Sequence, residues 1–190
     1  MSSVAATSPP YPFEREADVA LKDGSTVHLR PIRADDEPAI RVFLVGMSPE
    51  SIAFRFFGMP NLDWVTAWSV KVDYADQFAL VAETGTPHEI VAHAGYVRID
   101  ADRAEVAFMV ADQWQGKGIS TIMLAHLAHV AKQQGISTFS AEVLPANHRM
   151  LDGCRKLTAE QIPPSLCPAV VRSTVAHIAL AVAGAPLSRP

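Results

Sequence analysis

Two features of the sequence carry residue types suited to chemistry. The first is the stretch DQWQGKGIST, Asp112 to Thr121, which packs two glycines, a lysine and two hydroxyls between a strand-like run and a helix-like run. A turn that leaves a strand and enters a helix presents unpaired backbone N–H groups at the positive end of the helix dipole, where phosphate binds readily. Gly116 and Gly118 would let such a ligand approach the main chain without a Cβ in the way. A P-loop needs GxxxxGK[ST], and no such spacing surrounds Lys117. The dinucleotide fingerprint comes closer with Gly116-x-Gly118, and Glu142 lies at a suitable distance for a ribose contact. Thr121, however, stands at the third glycine position, and too little chain follows to complete a nicotinamide-binding sheet. The second feature is Glu105 in AEVAFMV. A carboxylate in a strand apolar on both faces is expected to be partly desolvated, with its pKa moved toward neutrality, the condition of a general base. The alternative is an exposed Glu105 paired with Arg103 or Arg98. His93 and Glu142 are reserve bases, although His93 also reads as a satisfied strand histidine.

The elements that must position these residues follow from periodicity. ADVALKDGSTVHLRPI alternates apolar residues on either side of Asp23-Gly24, a hairpin signal. Ile40, Phe43 and Leu44 recur at helical spacing, and Ser48-Pro49-Glu50 opens a second helix with a cap and a first-turn proline. Leu62, Val65, Trp68 and Val72 fall on one face of a third. FALVAE, EIVAHAGYVRI and AEVAFMV are short β-rich runs separated by turns, a three-stranded meander. Ile119, Met123, Leu127 and Val130 then form one helical stripe that stops at Gly135 before the strand STFSAEVL, so the last two strands should be parallel with a right-handed crossover.

Gln115-Gly116-Lys117-Gly118-Ile119-Ser120 resembles the Q/R-x-x-G-x-G/A pyrophosphate loop of the GNAT superfamily of N-acetyltransferases, with Ser120 as a small-residue variant. The order of elements from Val19 to Arg155 is similar too, and PANHRM places Asn147 at the family's strand-to-helix junction. LRPIRADDEPAIRVFLVGMSPES followed by RFFG looks more narrowly like the acetyltransferase module of bacterial protein lysine acetyltransferases. The resemblance implies an α/β (α+β) fold with a mixed, mostly antiparallel sheet and a βαβ acetyl-CoA-binding unit. It further implies cofactor contacts from Phe108, Met109 and Val110 on the fourth strand, from Gln115, Gly116, Lys117, Gly118, Ile119 and Ser120 in the loop, and from Asn147. Glu105 matches the family's general base. An amine must lose a proton before it attacks a thioester, since free lysine has a pKa near ~10.4. The acceptor so implied is a lysine on a protein such as an acyl-CoA synthetase, with a small-molecule amine and a non-catalytic acyl-CoA-binding module as alternatives.

Departures from the family concentrate at the end of the chain. Gly153 falls inside the expected helix, Pro163-Pro164 follows, and AVVRSTVAHIALAVAGAP reads as at most one convincing strand. The family's tyrosine acid is missing, since the tyrosines stand at 11, 74 and 96. The domain expectation is therefore an N-terminal arm over 1–16, an acetyltransferase domain over 17–155 and a divergent tail over 156–190. Cys154 and Cys167 form no CxxC pair, so neither a metal site nor a disulfide framework is signalled, and direct attack is expected over a cysteine acyl-enzyme.

Composition sets the outer bounds. The 190-residue chain is long enough for one core, with 49% hydrophobic and 19% charged residues. A formal net charge of -4, with no Lys/Arg stripe, argues against nucleic-acid binding. The longest apolar stretch, Val175 to Ala183, is well short of the ~20 residues a membrane helix needs. The first ten residues carry neither the basic start nor the apolar stretch of a signal peptide, so the expected location is cytoplasmic. Oligomeric state is not legible.

Overall fold

The computed structural model describes residues 10–152, 170–172 and 175–181. Strands β1 (Ala17–Ala20) and β2 (Thr26–Pro31) form the expected hairpin, with Gly24 in the left-handed region at φ +83°. Residues 10–16, counted with the arm above, are tied to it: the Tyr11 hydroxyl donates to Glu16 at 2.8 Å and to the Pro31 carbonyl at 3.2 Å.

Three short helices follow: α1 (Glu37–Val45), α2 (Pro49–Phe56) and α3 (Leu62–Ser69). Two begin on side-chain caps that satisfy otherwise unpaired amides. Ser48 Oγ accepts from the Ser51 N–H at 3.2 Å, and Asn61 Oδ1 accepts from Trp64 at 3.0 Å. Helix α3 ends at Ser69, before Val72 can extend its apolar face. Strands β3 (Gln77–Thr84), β4 (Glu89–Arg98) and β5 (Arg103–Val110) make the meander, and α4 (Ile119–Gln133) leads to β6 (Thr138–Val143).

The segment expected to give at most one strand gives two, β7 (Val170–Arg172) and β8 (Val175–Ala181). Strand β8 pairs antiparallel with β6 from Val143↔Ala176 to Thr138↔Ala181. Only Val175 and Ile178 of its seven residues are β-branched, and pairing with β6 supplies what local sequence signals lack. The sheet order is β1-β2-β3-β4-β5-β6-β8-β7, antiparallel throughout except between β5 and β6.

Strand alternation divides the core in two. On one face Ile119, Met123, Leu127 and Val130 of α4 cover Leu80, Ala94, Val106 and an aromatic ladder in which Tyr96 lies 6.0 Å from Phe78 and 5.7 Å from Phe139, ring centre to ring centre. Full burial of each such aliphatic side chain contributes about 1.5–3 kcal/mol. On the other face Ile40, Phe43 and Leu44 of α1, Ile52 of α2 and Val65 of α3 cover Ala79, Val81 and Met109. No described helix is long and apolar enough to cross a membrane.

Candidate active site

The parallel pairing of β5 with β6 covers three residue pairs and stops at Glu105↔Ser140. From there β6 stays with β8 while β5 runs on beside β4 alone, so the two strands part. Ala111 donates to the Val91 carbonyl of β4 at 2.8 Å, whereas the Ala104 carbonyl, on the opposite side, accepts from Ser140 Oγ at 3.4 Å. Alternation therefore turns the peptide groups of Phe108 and Val110 toward the gap and those of Met109 toward β4. Met109, named above as a cofactor contact, also has its side chain buried in the helix layer. The free edge is that of Phe108 and Val110.

At the end of this edge lies the glycine loop. Asp112–Trp114 form one 3-10 turn, and Gly116 and Gly118 take φ +81° and +93°. The first α4 amides to find a helical acceptor are Thr121 and Ile122, both bonded to the Gly118 carbonyl, at 3.1 and 3.2 Å. Gly118 itself supplies no side-chain cap, which leaves the N–H groups of Ile119 and Ser120 available at the positive helix end. These donors fit a pyrophosphate. The structure revises why Gly118 is needed. A Cβ there would meet Lys22 Cε at 3.4 Å, toward the β1–β2 hairpin, so the backbone conformation carries the requirement.

Lys117 is not simply an exposed charge. Its Nζ lies 2.9 Å from Asp23 Oδ2 and 4.2 Å from the centre of the Trp114 ring, which ties the loop to the hairpin. Gln115 Nε2 donates to the Val110 carbonyl at 3.2 Å, and its Oε1 accepts from Arg149 at 2.9 Å. Asn147 caps the helical turn that follows β6, its Oδ1 accepting from Met150 N–H at 3.1 Å.

Glu105 lies on the helix-side face, next to an open cavity of about 190 Å3. The desolvation expected for it is absent: the neighbours Ala104 and Val106 are buried against α4, but Glu105 itself is exposed. Nor does it pair with Arg103 or Arg98, which bind Asp100 and Asp76. The cation that acts on it is Arg55 of α2, which lines the same cavity. His93 lines it as well, and the reading of a satisfied strand histidine fails, because Nε2 is buried with no hydrogen-bond partner among the described residues. Burial first, and then Arg55, push the His93 pKa down to about 4, so the ring is neutral at pH 7. Glu142, the other reserve base, is exposed on β6 beyond the split. Cys154 and Cys167 lie outside the described residues.

The cavity floor is a cross-strand row of small residues, Ala79, Gly95 and Ala107, paired in register. Arg55, this row and Asp112 were not singled out from sequence. Asp112 accepts from Ser51 Oγ at 2.6 Å and from Ser48 N–H at 2.8 Å, fastening the loop to the start of α2. Its carboxyl is held below the usual range, by the Ser51 hydrogen bond first.

Residues 50–157 match the family model described as the Acetyltransferase (GNAT) family. A curated relative, Acetyltransferase Pat of Mycolicibacterium smegmatis, is 33% identical over 135 residues, which cover 70% of this chain and 40% of that protein. The GNAT domain of S. lividans PAT superposes with a TM-score of 0.80 at 34% identity, covering 90% of this chain and 99% of that domain. A GNAT superfamily phosphinothricin acetyltransferase from Sinorhizobium meliloti, solved with acetyl-CoA, shares the fold with a TM-score of 0.62 at 14% identity, over 86% of this chain and 92% of that one.

Proposed function

This chain belongs to the GNAT acetyltransferase family, and on that premise we propose that it acetylates a lysine side chain of a protein, such as a metabolic acyl-CoA synthetase, with Glu105 as general base. The observation that carries this reading is the position of Glu105. It stands where the free edge of β5 begins and where the helix-side cavity opens, so donor and acceptor would meet at its carboxylate.

The residues present fit acetyl-CoA. The N–H groups at Gly116 to Ser120 would hold the pyrophosphate, and the Phe108 and Val110 main chain would pair with the pantetheine amides as with an added strand. Asn147, at the junction after β6, would border the same groove. When bound, acetyl-CoA supplies a thioester whose C–S bond breaks onto sulfur as the amine nitrogen forms the C–N bond. The Val110 N–H would polarise a carbonyl set against this edge. Glu105 takes the proton that the amine gives up. A thiol of pKa ~8.5 is a fair leaving group, so no tyrosine acid is required.

The outer surface favours a macromolecular acceptor. Phe57, Met59, Trp64 and Trp68 are 44%, 76%, 65% and 37% exposed around α2 and α3, and Trp68 also lines the cavity. Trp64 and Trp68 stack with ring centres 6.2 Å apart. An exposed aromatic platform beside a reactive cleft is a contact surface for another protein. The curated relative named Pat is longer than this chain, which spans 40% of it, so acceptor and partners rest on the site. A metabolic enzyme as acceptor would put the proposed reaction in the cytoplasm.

Incubation with labelled acetyl-CoA, candidate acceptor proteins and small amines tests this. Label in a lysine of a protein is the expected result, and label confined to small amines overturns the protein half. Stabilisation by CoA without transfer to any acceptor would leave a binding module.

A further inference from the structure

The acceptor cavity contains a cation that the proposed chemistry does not yet use. Arg55 lines it from α2, and no hydrogen bond or ion pair engages its guanidinium among the described residues; it lies over the Phe56 ring, 4.9 Å from the centre. Leaving a partly buried cation without a carboxylate is costly, which makes its position informative. Its neighbours across the cavity are Glu105 on β5 and His93 on β4. Glu105 is near enough to act on Arg55 electrostatically yet makes no ion pair with it within 4.0 Å, and burial holds the guanidinium below its ordinary range. His93 is neutral, and Asp36 acts on it from the start of α1. The Tyr96 hydroxyl is bonded to the Ala75 carbonyl at 3.0 Å, while α3 and β3 contribute only the uncharged Trp68, Ser69, Gln77 and Phe78 as polar or aromatic lining.

This arrangement answers a difficulty raised by the exposure of Glu105. An ionised carboxylate attracts an alkylammonium ion and favours its charged form, which cannot attack a thioester. We propose that Arg55 is a positioning residue of the acceptor site: its fixed positive charge, set near Glu105 but not against it, opposes entry of the amine as an ammonium ion paired to that carboxylate and so presents it as the free base. The proton passes to Glu105 or to water, and the nitrogen keeps its lone pair. Only about one lysine amine in a few thousand is uncharged at pH 7, so moving its pKa by one unit changes the reactive population about tenfold. A neutral His93 adds no second charge.

The inference rests on the reading of Glu105 as base, and the test separates the two. The full chain, Arg55→Met and Arg55→Lys are compared on a lysine peptide and on the same peptide with a less basic, fluorinated lysine. Propylamine and 2,2-difluoropropylamine are run as a parallel pair. Arg55→Met is expected to lower kcat at pH 7 about tenfold or more for the ordinary amine and less than about twofold for the fluorinated one. The acidic limb of its kcat profile, which reports the bound amine, should move up by about one unit. Arg55→Lys, which keeps the charge, should retain the wild-type ratio between the two amines. Equal losses on both amines, or a lysine variant that behaves like the methionine one, overturn the proposal. Transfer confined to the small amines overturns only the protein acceptor, since the Arg55 comparison is then read on that pair.

Discussion

Glu105 and Ser140 form the last register pair of the parallel strands β5 and β6, and beyond them the strands part. Both consequences of that position follow from strand geometry. The Glu105 side chain projects to the face carrying α1 to α3, while the main chain beyond it turns the peptide groups of Phe108 and Val110 to the gap. One residue thus borders the gap between β5 and β6 on one side and the cavity on the other.

Glu105→Gln keeps the shape and removes the proposed base. Turnover should fall roughly 10²-fold or more, with CoA affinity nearly unchanged, as read by steady-state rates beside calorimetric titration of CoA. An unaltered rate would move the role to Glu142 or water. His93, with its pKa pushed down to about 4, is a weak base for an alkylamine.

The loop glycines should matter more than its lysine. At φ +93° Gly118 adopts a conformation that a β-branched residue rarely reaches, whatever the space around its Cα. Gly118→Val should therefore abolish CoA binding by misdirecting the amides of Ile119 and Ser120. Lys117→Ala breaks a pair with Asp23 whose side chains are 28% and 43% exposed, so the loss in CoA affinity should stay within about tenfold. Normal CoA binding by Gly118→Val would remove the loop from the site.

Much of this layout is legible in the sequence because it rests on local signals. Asp23-Gly24 sets the hairpin, Ser48 caps α2, and Ile119, Met123, Leu127 and Val130 mark the buried stripe of α4. The acceptor side is not legible in the same way. Arg55 acquires its meaning only when α2 lies over β5, and Ala79, Gly95 and Ala107 become one row only in register. β8 shows why local signals fail at the end of the chain: its pairing partner, β6, is more than thirty residues away. The burial that the sequence implies for Glu105 does not hold, since the strand is apolar toward α4 but open on the Glu105 side.

Asp112 is the joint between the loop and α2, and its replacement tests whether that joint shapes the cofactor site. Asp112→Asn loses charge-assisted bonds from Ser48 and Ser51, and CoA affinity should drop several-fold with little change in acceptor KM. The pH dependence has a defined sign. Because the folded-state pKa is lowered, the stabilisation is fully present above the unfolded carboxyl value of about 4 and is lost as pH falls through the lower folded value. Thermal melts from pH 6 to pH 3 should therefore show a steeper acid loss for the wild type than for Asp112→Asn. Parallel curves would mean that the joint carries no linked proton.

Gly95 tests the acceptor cavity without touching any charged group. A Cβ added there would come 2.9 Å from the Ala79 Cβ and 3.0 Å from the Phe78 carbonyl oxygen, so Gly95→Ala forces β3 and β4 apart or fills the cavity floor. Overpacking of this kind costs about 1–3 kcal/mol, and a lowered melting temperature is expected. Because Gly95 lies on the helix-side face, away from the loop and the free edge, CoA affinity should hold while KM for the acceptor rises. Ala79→Gly in the same chain removes the closest side-chain atom and should recover part of both losses, leaving only the backbone contact. Recovery of the melting temperature without recovery of KM would separate fold from site and show that the acceptor does not reach this floor.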